Sequence, residues 1–146
     1  MNRLKSPPES GAPGRVMISL LAAAHALEDR LEQALGHVGL SMSKLGVLTQ
    51  LVEVGEPLAL SELAVRLSCV RSNMTQLVDR LEADGLVRRV DDATDRRSVR
   101  AAVTKLGEER QAVGARELAR VQEEFSAGLV PDDRLALARA LAALTP

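Results

Sequence analysis

The chain has 146 residues, enough for one domain or one compact protomer, with a formal net charge of -1. It has no Trp, no Tyr and one Phe (Phe125), so its core must be aliphatic, and no apolar run approaches the roughly 18 residues of a membrane span. Its single cysteine excludes an intrachain disulfide and fits a reducing, cytoplasmic setting; no apolar stretch follows the N-terminal basic residues as a signal peptide would require.

Residues 1–13 hold Pro7, Pro8, Gly11 and Pro13, lack periodicity and read as a disordered tail. A first helix is predicted from about Arg15 to His37, where Met17, Leu20, Leu21, Ala24, Leu27, Leu31 and Leu35 form one stripe at three- and four-residue spacing. Ser41 is placed to cap a second helix carrying Leu45, Leu48 and Leu51, which stops near Gly55-Glu56-Pro57. A third helix, with Ser61 as the expected cap, carries Leu60, Leu63, Ala64 and Leu67. The chain turns at Ser68-Cys69-Val70. A fourth helix then starts near Arg71, buries Met74, Leu77, Val78 and Leu81, and ends at Gly85.

Leu86–Val90 and Ser98–Thr104 read as two strands around an Asp/Ala/Thr loop, with Val99, Ala101 and Val103 alternating toward one packed face. Thr104 caps a fifth helix reaching about Ser126. Pro131 opens a sixth, with Asp132 and Asp133 at the positive end of its dipole. The expected class is mainly α: a winged helix-turn-helix, three helices plus a β-hairpin wing over residues 41–104, with dimerisation helices in 14–40 and 105–146 of a single protomer.

Two short helices about a tight turn, followed by an arginine-rich hairpin, form a shape that sets one helix into a DNA groove. On the fourth helix, Ser72, Gln76 and Asp79 lie opposite the apolar arc, flanked by Asn73, Thr75 and Arg80, with Arg71 at the helix start. Asn and Gln pair with adenine edges, and Ser and Thr suit phosphates or bases. Arg96 and Arg97 occupy the hairpin tip beside Ser98, where arginine suits a narrow minor groove. Asp95 is expected to orient Arg97. Between residues 71 and 100 there are seven arginines and six acidic residues, so any DNA contact must come from placed arginines and not from a general basic field.

The segments LSELAVRL, SCVRSNMTQLVDRLEADGLV, DRRS (Asp95–Ser98) and VTKLGEE resemble the MarR family of bacterial transcriptional regulators, and the order of elements matches over about residues 15–146. The resemblance implies a triangular homodimer joined by its first, fifth and sixth helices. It also implies repression at a palindromic operator, a recognition helix in the major groove and wing arginines in the minor groove. Many members release DNA when a small, often aromatic, acid binds between the dimer and DNA-binding regions, and others sense oxidants through cysteine. This chain departs from both kinds: it has only Phe125 for aromatic walls, and no cysteine in its first helix.

The residues leave alternatives open. A winged helix also serves as a protein-interaction module without DNA. Cys69 reads as a small buried hydrophobe of the turn, or else as a thiol switch beside Arg71. His25 and His37 are twelve residues apart with no metal-ligand spacing, and no Gly-rich phosphate loop, nucleophile elbow or convergent carboxylate pair is present, so neither an enzyme nor a cofactor is expected. Gly107, three residues after Thr104, reads as a site of close packing.

Overall fold

The computed structural model describes residues 13–95 and 97–144. Its elements are α1 (Pro13–Gly36), α2 (Met42–Val54), β1 (Leu58–Ala59), α3 (Leu60–Arg66), α4 (Arg71–Ala83), β2 (Val87–Asp91), β3 (Val99–Val103), α5 (Lys105–Ala127) and α6 (Pro131–Leu144). The tail expected over residues 1–13 lies outside the described residues apart from Pro13, which opens α1. Among the described residues no helix is long and apolar enough to cross a membrane.

The aliphatic periodicity of the sequence becomes one core. Leu48 and Leu51 of α2, Leu63 of α3, and Met74, Val78 and Leu81 of α4 are fully buried, and Leu35 closes the core from the end of α1. Each helix end has a local cause. Ser41 caps α2 by accepting the Lys44 N–H at 3.2 Å. Thr104 caps α5, accepting the Gly107 N–H at 3.0 Å while its hydroxyl donates to the Gly85 carbonyl at 2.7 Å. Gly85 ends α4 at φ 74, which lets the Leu86 N–H bond the Leu81 carbonyl at 2.9 Å.

Two expectations are corrected. Ser61 does not cap α3. The helix begins at Leu60, and its N-cap is Ala59, which makes no side-chain cap bond. The reason is β1, which the sequence did not reveal: Leu58 and Ala59 pair antiparallel with Ala101 and Arg100, so the chain passes directly from strand to helix. The same pairing puts β3 in the middle of a β1-β3-β2 sheet. Ala101 and Ala102 are therefore both buried and Val99 is exposed, and the expected one-sided alternation of Val99, Ala101 and Val103 is not kept.

α5 is seated tightly on this core. A Cβ at Gly107 would lie 2.0 Å from the Leu86 carbonyl oxygen, and one at Gly114 would meet the Leu40 and Leu45 side chains at 2.6 and 2.9 Å. Close approach is thus the role of Gly107. Arg110 strengthens the seat by donating to the Val38 carbonyl at 2.8 Å. The outer half of α1 and all of α6 are left largely uncovered: Val16, Met17, Ile18, Leu21, Leu135 and Leu144 are exposed, and α6 buries no residue.

Candidate nucleic-acid interface

The turn that launches α4 is set by backbone. Ser68 takes a left-handed φ of 50, and the Cys69 N–H reaches back to the Ala64 carbonyl at 2.8 Å. α4 then starts from Val70, which makes no side-chain cap. The first N–H groups of α4, with the positive end of its dipole, therefore lie beside Arg71.

The buried stripe of Met74, Val78 and Leu81 holds one side of α4 against the core, and Arg71, Ser72, Asn73, Thr75, Gln76, Asp79 and Arg80 are all exposed. The Thr75 hydroxyl donates to the Arg71 carbonyl at 3.1 Å, leaving its oxygen free to accept. The expected contact residues fall into two clefts. Arg71 and Thr75 join Arg97, Ser98 and Ser61 in a cleft of about 230 Å³ between α4 and the wing. Asn73, Gln76 and Arg80 line another of about 290 Å³, on the α2 side, with Ser43 and Lys44. Ser72 lines neither. Ser61, expected only as a cap, thus stands in the wing-side cleft, a place its strand-to-helix junction gives it.

The wing is braced from its stem. The Asp92 carboxylate accepts the Thr94 N–H at 2.9 Å, the Thr94 hydroxyl at 2.8 Å and Arg100 Nε at 2.8 Å. These bonds, the Thr94 N–H foremost, hold its carboxyl well below the usual carboxylate range. Arg100 also donates to the Pro57 carbonyl at 3.0 Å, tying the hairpin to the loop before β1. Asp95 is expected to orient Arg97, but its carboxylate accepts only the Arg97 backbone N–H, at 2.9 Å, and does not pair with the guanidinium, so it shapes the turn and not the side chain. Arg96 lies outside the described residues. Cys69, expected as a buried turn residue, is only partly buried. It lies where α2 leaves a cavity of about 280 Å³ beside Met42 and Gly46, and its thiol faces the Val70 carbonyl at 3.4 Å.

The near-balance of charge between residues 71 and 100 is resolved by pairing. Arg89 binds Asp79 and Glu82, Arg100 binds Asp92, and Lys44 of α2 binds Asp84. Among the described residues, the guanidinium groups of Arg71, Arg80, Arg88 and Arg97 have no side-chain partner. The unpaired charge that remains is mostly positive, and Arg71, Arg80 and Arg97 carry it into the clefts beside α4.

Comparison with known proteins agrees with this geometry. The MarR family model matches residues 38–98. The helix-turn-helix transcriptional regulator YkoM of Bacillus subtilis is 32% identical over 111 residues, covering 75% of this chain and 68% of YkoM. The regulator PrsX of Escherichia coli is 33% identical over 88 residues, 60% of this chain; the match spans about half of PrsX, 53% of its length. Among solved structures, Sco3205 of Streptomyces coelicolor, a MarR family regulator in complex with DNA, superposes with a TM-score of 0.77 at 28% identity, covering 96% of this chain and 91% of Sco3205. The chain therefore belongs to the MarR family of transcriptional regulators.

Proposed function

We propose that this chain is a sequence-specific DNA-binding transcriptional regulator: a cytoplasmic homodimeric repressor that holds a palindromic operator until a small molecule releases it. One observation carries the reading. Polar side chains of α4 and unpaired arginines of α4 and the wing share one exposed surface, and most of the neighbouring carboxylates have internal cationic partners. Arg71, Ser72, Asn73, Thr75, Gln76 and Arg80 are assigned to the major groove and its phosphates. Arg96, Arg97 and Ser98 are assigned to the minor groove, with Asp95 setting the turn that presents Arg97. The DNA-binding region is 41–104, and 14–40 with 105–146 form the dimer region.

Dimerisation is supported by the exposed apolar residues of α1 and α6, which a second copy would cover. It would also set two recognition helices about one DNA turn, roughly 34 Å, apart. A crevice of about 440 Å³ between α2 and α5, lined by Leu45, Thr49, Glu53, Gln111 and Leu118 among others, is the assigned effector site. It lies where the two regions meet, so an occupant would alter how α5 sits on the DNA-binding core.

The test is selection of binding sites from random duplexes, followed by affinity measurement over a salt series. The expected result is an enriched inverted repeat and a steep fall of affinity with salt, about one unit of log-log slope per phosphate neutralised. No enrichment and no salt dependence would instead make this winged helix a protein-interaction module.

A further inference from the structure

Arg89 lines the wing-side cleft with Arg71 and Arg97 but differs from them in being paired with carboxylates. On β2, Val87 is buried, Arg88 is exposed and Arg89 is turned inward, as alternation along a strand requires. Its guanidinium forks between two carboxylates of α4: one arm reaches Glu82 and the other Asp79, each at 2.5 Å. The same Glu82 carboxylate also accepts the Arg89 backbone N–H at 3.1 Å. That N–H lies on the outer edge of β2, the edge strand of the sheet. Asp79 and Glu82 are three residues apart, so they stand on one side of α4 and meet the strand together. The Arg89 side chain is 28% exposed, much less than the 57% of Asp79. The three bonds thus join the second half of the recognition helix to the first strand of the wing.

We propose that Arg89 is a positioning residue for DNA binding, clamping the wing to the recognition helix through Asp79 and Glu82 so that both meet one duplex at a set angle. A planar fork with two charged partners resists rotation in a way that a single bond does not. The clamp also gives a purpose to Asp79, a carboxylate on the exposed side of a DNA-facing helix. Electrostatics alone would make that carboxylate a liability beside phosphate.

The inference rests on the DNA-binding reading, and one substitution separates the two. Asp79→Ala removes a negative charge from the DNA-facing helix. If Asp79 acts only through its charge, affinity for the duplex selected by the wild-type protein should rise. If it holds the clamp, affinity should fall, by about three- to tenfold. Asp79 is exposed and alanine favours helix, so the variant is expected to fold. Arg89→Met is the companion. It should weaken binding by tenfold or more and leave the slope of log affinity against log salt unchanged, whereas loss of a phosphate contact would lower that slope by about one. In the Arg89→Met background, Asp79→Ala should cause no further loss. Tighter or unchanged binding by Asp79→Ala, or a lowered slope for Arg89→Met, would overturn the clamp while the wild-type protein still bound DNA. Absence of wild-type binding would instead overturn the functional reading beneath it.

Discussion

Replacing Gly107 with alanine tests how α5 is joined to the DNA-binding core. The added methyl would stand 2.0 Å from the Leu86 carbonyl oxygen and 2.8 Å from Val103 Cγ2. Backbone cannot yield as a flexible side chain does, so the first turn of α5 must lift by about 1 Å or more. That movement strains the Thr104 N–H bond to the same Leu86 carbonyl, now 3.1 Å long. Overpacking costs about 1–3 kcal/mol, and a lost hydrogen bond adds about 1. The better helix propensity of alanine returns at most about 1 kcal/mol. The net expectation is a loss of about 2 kcal/mol, or roughly 4–8 °C in Tm for a chain of this size. Gly46→Ala, inside α2, is the matched control: its methyl would meet Leu67 Cδ2 at 3.4 Å, an ordinary contact, so stability should hold or rise by about 0.5–1 kcal/mol. Urea denaturation of both variants, at one protein concentration, checks the pair. A Gly107→Ala protein as stable as Gly46→Ala would refute the close-packing argument.

Arg97→Ala should cost about 1–3 kcal/mol of DNA affinity with Tm unchanged, read by fluorescence anisotropy and a melting curve; intact affinity would remove the wing arginine from the interface. Deleting residues 127–146 removes α6 and should abolish both the dimer and specific binding, measured by light scattering and footprinting. Cys69 is only partly buried, so Cys69→Ala should cost about 1 kcal/mol of stability or less and leave DNA release by peroxide no different from wild type, whereas reversible release seen only in the wild type would make Cys69 a thiol sensor. Asp92 has a folded-state pKa depressed by Thr94 and Arg100, so its contribution is present above the ordinary carboxylate pKa and is lost as pH falls from there toward the folded value. Acid titration of stability should therefore be shallower for Asp92→Asn than for the wild type, and equal slopes would contradict the role given to the wing stem.

What was legible in the sequence is what local periodicity encodes. Leu60, Leu63 and Ala64, then Met74, Val78 and Leu81, announce their helices because a helix repeats its buried face every three or four residues. Ser41, Thr104 and Gly85 announce helix ends because capping is a short-range bond. β1 was hidden because two residues carry no period, and their partners, Ala101 and Arg100, are some forty positions away. Ser61 reads as a cap for the same reason: the residues before α3 belong to a strand that only β3 defines.

The charges show the same division between local and distant information. Composition shows seven arginines and six acids between residues 71 and 100 and leaves little excess for a polyanion. Folding sorts them. Arg89 and Arg100 lie on strands, yet they neutralise carboxylates of α4 and of the wing stem, while Lys44 comes from α2 to neutralise Asp84. None of these pairs has a helical spacing that would reveal it in advance. Each ties up carboxylate and cation together, although Arg89 carries one charge against the two of Asp79 and Glu82. Arg71 and Arg97, distant in sequence, meet at one cleft instead. A chain of net charge -1 thereby leaves the guanidinium groups of Arg71, Arg80 and Arg97 without side-chain partners along one helix and its wing. The relevant quantity for a DNA-binding surface is therefore the charge left unpaired after folding, not the charge counted along the chain.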